Sequence, residues 1–437
     1  MLGRDRLGEL RRCEQTIPST DLDCDAFSAE PRWQGDPAMA SATFHDMEAF
    51  VEEVLRLHPT IQAAEQTWFA AMELYPQATA LDDPAFRFMN GPTIFGSSQG
   101  QHLWRVQLAQ RVPWYGKRGL HGEIADGQAD VAYFDWQRTR QQLAAAARSA
   151  YLQYAVAEQL YELSAEDLRL AEAMTSAPKI ERVSTNAQAL AAYDTYQIDR
   201  WELERKHEES EVARELARER LNVMLQQDLS APLPPPVMPH RPHEMPDEQA
   251  LIQQVLMQSP ELAIAHRLEQ QAAARVALAE KDFYPDIDVV GRFDTNASDF
   301  WAPDRANIRP QLGIYFPLKI QHNKRWAKLR QMKFEQRRRR AETLALQAKL
   351  TGDIQRSLAQ LQRAQRRSAS LDRMLAAAKR RLESQVALIA HPPTPTNETL
   401  ANQRVVLKYR GEQIKQEAIW LDKYLELAML TGDTADR

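Results

Sequence analysis

The chain is poor in cysteine, glycine and long apolar runs. Its two cysteines, Cys13 and Cys24, both fall near the start of a 437-residue sequence. Two such thiols make neither a disulfide framework nor a zinc cluster. Fifteen glycines are few for an α/β enzyme of this length. No glycine-rich phosphate loop, nucleophile elbow or HExxH pair is present, so neither catalysis nor a cofactor is expected. No apolar stretch approaches the roughly 20 residues that a membrane-crossing helix needs. The opening "MLGRDRLGELRRCEQT" has no apolar core and no small-residue cleavage site, and two arginines stand directly before Cys13. Taken alone, that opening reads as cytoplasmic, with neither a secretory signal nor a lipid anchor. Charge of neither sign dominates: 55 Lys and Arg stand against 60 Asp and Glu. That balance gives no broad signal for nucleic acid, and the run Arg337–Arg340 reads as a solvated helix face.

What the sequence has is long helix and a repeat. Residues 1–41, with prolines at 18, 31 and 37, are expected to be irregular. Thr43 or Asp46 is a candidate cap for a first helix, and a second is expected from Ile61 to just before Pro76. In "PAFRFMNGPTIF", Phe86 and Phe88 alternate with Arg87 and Met89. Between Leu103 and Val112, Trp104, Val106 and Leu108 fall on one face and Arg105, Gln107, Ala109 and Arg111 on the other. This period of two predicts two strands, about 84–95 and 102–112, joined as a hairpin. From Lys117 the pattern turns helical through about 171, some 90 Å of helix at 1.5 Å per residue. A second limb is expected from Ala187 to Met224, and residues 228–245 form a proline-rich linker.

The plan then recurs. Pro84 follows Pro59 by 25 residues, and Pro285 follows Pro260 by 25. Arg309, Gln311 and Pro317 stand 204 residues after Arg105, Gln107 and Pro113. Strands are expected at about 285–294 and 307–317, followed by helices from Asn323 to Leu388 and from Glu398 to Leu430. The domain plan is therefore a first repeat over 42–227, with a helical hairpin at 115–227, and a second over 246–432, with its hairpin at 322–430. A tail of 433–437 follows. Duplication accounts for the match.

Four half-polar strands cannot close a barrel, and open edges are not tolerated in lipid. Three copies give twelve strands, an allowed barrel size, each near the length that crosses a bilayer at a tilt. The fold class expected is a mixed α/β membrane protein: a trimeric 12-stranded β-barrel, four strands per chain, continued by a long α-helical barrel. Arg105, Gln107, Arg309 and Gln311 then belong on a wet lumen, and Trp104 and Phe316 on the lipid side or an aromatic belt. Phe300 and Trp301 fall in the connection between the last two strands.

Several stretches resemble the outer-membrane efflux protein family, the TolC-like trimeric exit ducts. These are "EEVLRLHPTIQAA", "LDDPAFRF", "RERLNVMLQQ" and "SPELAIAHRLEQQAAARVALAEKDFYPDIDVVG", in that order, over about residues 44–432. "QRVPWYGKRG" resembles the strand-to-helix turn of the heavy-metal efflux members. The resemblance implies an outer-membrane channel with its helices in the periplasm, acting as a passive duct for small toxic solutes, heavy-metal cations among them. It implies a homotrimer working with a periplasmic adaptor and a proton-driven inner-membrane pump. Where the family carries glycine at its helical tips, this chain has none. Glu181, Arg182, Ser184, Glu383 and Ser384 occupy those tips and are the candidate adaptor or entrance contacts.

Two further clusters invite a chemical reading. His240 and His243, with Met238 and Met245, form a candidate soft-metal group inside what otherwise reads as a flexible linker. Glu280, Asp282, Asp286 and Asp288 gather where helix gives way to strand, either as an acidic collar or as ordinary solvated caps. The absence of an export signal also leaves a second reading, a soluble long-helix coiled-coil scaffold or interaction protein.

Overall fold

The computed structural model describes residues 46–92, 102–175, 187–239, 241, 245, 247–295, 308–388 and 397–431. These belong to one compact unit, Phe44–Arg437. The expected irregular segment 1–41 lies outside the described residues.

Each half opens on short helices punctuated by proline. In the first half, α1 (Met47–Leu57) is capped by Asp46, whose carboxylate accepts from the Ala49 N–H at 2.9 Å. His58 ends it, and Pro59 opens α2 (Pro59–Met72). Proline fits there because the first turn's N–H groups have no intrahelical partner. The sequence places the end of α2 just before Pro76, but α2 stops at Met72. A short helix, α3 (Leu74–Thr79), takes Pro76 into its own first turn. The strands β1 (Ala85–Pro92) and β2 (His102–Val112) follow, then α4 (Lys117–Thr175) and α5 (Ala187–Met224). The second half repeats the order with α6 (Glu248–Gln258), α7 (Pro260–Lys281), β3 (Ile287–Thr295), β4 (Ile308–Tyr315), α8 (His322–Leu388) and α9 (Asn397–Thr431). Here Ser259 caps α7, and Pro260 sits at its first position.

The strands form one antiparallel sheet in the order β1-β2-β3-β4. The two hairpins meet along β2 and β3, and β1 and β4 are the edges. At 1.5 Å per residue, α4 and α8, with 59 and 67 residues, are about 90 and 100 Å long. A helix of that length cannot fold back into one core, so its partners succeed one another along it. α4 meets α1, α2, α3 and α7 as well as α5 and α9. Ala144, Ala147, Ala150 and Ala155 of α4 are buried, and their small side chains allow close approach of the neighbours.

A buried apolar cluster joins four of the helices. Leu152 of α4, Leu251 and Val255 of α6, Ile354, Leu358 and Leu361 of α8, and Trp420, Leu421 and Leu427 of α9 meet there. Met238 and Met245 of the linker pack against the same cluster. The two methionines of the candidate soft-metal group thus have a packing role. His240 and His243 lie outside the described residues. No group of three or more His, Cys, Asp or Glu among the described residues is placed to hold a metal ion.

The end of α5 shows why "RERLNVMLQQ" has its form. Leu221 and Asn222 are completely buried. The Asn222 amide donates to the carbonyls of Leu229 and Ala231 at 2.8 and 3.1 Å and accepts from Gln227 at 2.9 Å. It therefore fixes the chain's departure from the helix. Gln226 takes the left-handed backbone, φ 57°, in which helices commonly stop.

Candidate functional site

The sheet is divided by charge. Residues opposite one another in register share a face. One row carries Arg87, Gln107, Arg292 and Gln311, and the next carries Met89, Arg105, Asp294 and Arg309. Arg111 and Asp288 pair further along the same face. Every Arg and Asp of the four strands therefore lies on one side. Arg105, Gln107, Arg309 and Gln311, chosen from the sequence, fall together in two adjacent rows. The sequence pattern alone did not single out Arg87, Arg292 and Asp294 as their companions, although Arg87 and Arg292 stand at alternating positions.

Asp294 is the hub of this face. It accepts from Arg105 Nε at 2.9 Å and pairs with Arg292 Nε at 3.1 Å, with 11% of its side chain exposed. Arg292 also donates to the Gln311 side chain at 2.6 Å. The opposite face is mainly apolar and open, with Asn90, His102, Gln110 and Thr295 at its polar positions. Phe86, Phe88, Leu108, Val289, Phe293, Leu312 and Ile314 all lie there, and Leu312 is 83% exposed. Trp104 shares that face and packs on Phe88 with ring centroids 5.5 Å apart. Phe316 lies just past the end of β4 and is exposed. Phe300 and Trp301 lie outside the described residues.

Where sheet meets helix, the two halves are clasped by a buried lysine. Gly116 takes a left-handed backbone, φ 85°, and turns the chain from β2 into α4. That turn sends Lys117, 5% exposed, inward. Its ammonium donates to Asp286 at 2.8 Å and to the Tyr284 carbonyl at 3.3 Å, with Asp282 at 3.8 Å. Asp286 also accepts from the Trp114 N–H at 3.1 Å, and Arg111 lies 3.4 Å away. Trp114 and Tyr284 stack at 5.2 Å. Burial pushes the Asp286 carboxyl upward. The Lys117 hydrogen bond, the Trp114 N–H and nearby positive charge outweigh it and hold the group below the ordinary aspartate range.

Three of the four acidic residues of this region are paired with cations. Asp282 meets Lys328 at 2.6 Å, Glu280 meets Lys333 at 3.6 Å, and Asp288 stands opposite Arg111. The ion pairs of Asp282, Glu280 and Asp286 join this region to α4, α8 and Arg111 of β2. "PWYGKRG" thus supplies the turn and the clasp.

At the far ends of the long helices, Glu383 and Ser384 lie exposed near the end of α8, and Ser384 bonds back to the Arg381 carbonyl at 2.9 Å. Glu181, Arg182 and Ser184 lie outside the described residues. None of the described helices is long and apolar enough to cross a membrane.

The chain thus sets an amphipathic pair of hairpins with open edges on helices of about 100 Å. Comparisons with known proteins bear on the fold. Residues 251–433 match the profile of the family "Outer membrane efflux protein". Among solved structures, the chain is similar to the open state of the Neisseria gonorrhoeae MtrE outer membrane channel. The TM-score is 0.73 at 15% identity, over 88% of this chain and 88% of that one. It is also similar to the Campylobacter jejuni CmeC outer membrane channel, with a TM-score of 0.72 at 12% identity over 89% and 86% of the two chains. The Vibrio cholerae outer membrane protein VceC gives 0.67 at 14% identity over 88% and 96%. No curated protein matches in sequence. The second repeat therefore carries the efflux family's sequence pattern, and the chain as a whole has the fold of the TolC-like outer-membrane channels.

Proposed function

We propose that the whole chain is an outer-membrane efflux protein, the exit duct of a tripartite system for small toxic solutes. The observation that carries this reading is the sheet: one face is charged, the other is mainly apolar and exposed, and both edges are open. Three copies joining β4 of one chain to β1 of the next close a 12-stranded barrel with apolar residues toward lipid and arginines toward water. The helices continue it as a tunnel across the periplasm. The duct is passive, and an adaptor and a proton-driven inner-membrane pump supply energy. Glu383 and Ser384 then sit near the periplasmic tip, within reach of an adaptor. "PWYGKRG", whose resemblance suggested heavy-metal cations, is occupied as a structural clasp and so says nothing about cargo. The matching order of elements in the two halves supports an origin by duplication.

Fractionation of cells expressing the chain with an export signal tests the reading. Recovery in the outer-membrane fraction, released by detergent and not by salt or alkali, is expected. A protein released without detergent would support the soluble scaffold.

A further inference from the structure

We infer that the barrel favours anions, and hence that its exit suits solutes bearing carboxylate, phosphate or sulfonate groups. This rests on the duct reading above. The four strands carry five arginines, Arg87, Arg105, Arg111, Arg292 and Arg309, against two aspartates, Asp288 and Asp294. All seven lie on the face that the barrel turns toward water. The excess is three positive charges per chain, and three chains triple it.

The carboxylates do not cancel this field. Asp294 is shared between Arg105 and Arg292. Asp288 faces Arg111, which also reaches Asp286, itself held by Lys117. Arg87 and Arg309 are exposed and stand on β1 and β4, which contain no Asp or Glu. The sequence linking β3 to β4 adds Asp299, Asp304 and Arg305 and leaves the total positive. Rings of guanidinium groups in a narrow pore set ion preference because low-dielectric walls focus their field. At physiological salt the screening length is about 8 Å, so a lumen of this kind is only partly screened.

The test is the reversal potential of the purified channel in a planar bilayer under a potassium chloride gradient. Chloride is expected to permeate at least about twice as readily as potassium, falling toward parity as salt rises. The double variant Arg87→Gln/Arg309→Gln removes two charges per chain and leaves the Arg105 and Arg292 ion pairs of Asp294 in place, although Arg309 stands opposite Asp294 in register. It is expected to form the same trimer with chloride preference moved toward parity. Conducting channels that prefer potassium, or a double variant with unchanged preference, overturn the inference and leave the duct standing. A purified protein that forms no trimer and does not insert into the bilayer overturns the duct, and the inference with it.

Discussion

Lys117 and Asp286 join segments 169 positions apart in sequence. Their pairing shows why so much of the junction is invisible in the sequence. "PWYGKRG" reads as a turn, and the cluster Glu280, Asp282, Asp286 and Asp288 reads as a collar or as caps. Nothing local says that one supplies the cation for the other. A buried charge left without its partner is costly. Lys117→Met is therefore expected to lower stability by roughly 3 kcal/mol, read as a drop in the thermal midpoint of the detergent-solubilised protein. The Asp286 carboxyl is held below its unfolded value, so its contribution is present above about pH 4 and is lost as pH falls through the folded value. Wild-type stability is expected to fall over that acidic window, and Lys117→Met to fall less steeply. Equal acid slopes for the two proteins would contradict the clasp.

Helices and strands were the legible part, because period and punctuation are local. The limits of α5 at Ala187 and Met224 and the start of α4 at Lys117 follow from composition and breakers alone. Pro76 misled, since proline ends a helix in mid-run but is accepted in a first turn, and only packing decides which applies. The charged face was legible in part: alternation put Arg105 and Gln107 on one face, and the 204-residue repeat added Arg309 and Gln311. The shared hub at Asp294 needed the strand register. The end of α5 offers its own test. Gln226 adopts a left-handed backbone that disfavours a Cβ, although its side chain bonds the Val223 carbonyl at 3.1 Å. Gln226→Gly is expected to stabilise the protein by about 0.5 kcal/mol, net of glycine's greater freedom in the unfolded chain. A lowered unfolding midpoint would show that the side-chain bond outweighs the backbone strain.

On the duct reading proposed above, the sheet belongs to a larger closed object. Exposed Phe86, Phe88, Leu312 and Ile314 on a sheet with two free edges would be an aggregation surface on a lone soluble protein. In a closed barrel the same residues face lipid, and the edges vanish. The measurement that bears most directly on this is the mass and shape of the detergent-purified particle. The account predicts three chains of 50.0 kDa each, a three-fold ring seen end-on, and a tube more than about 100 Å long seen from the side. A single chain stable without detergent, with no ring, would contradict it.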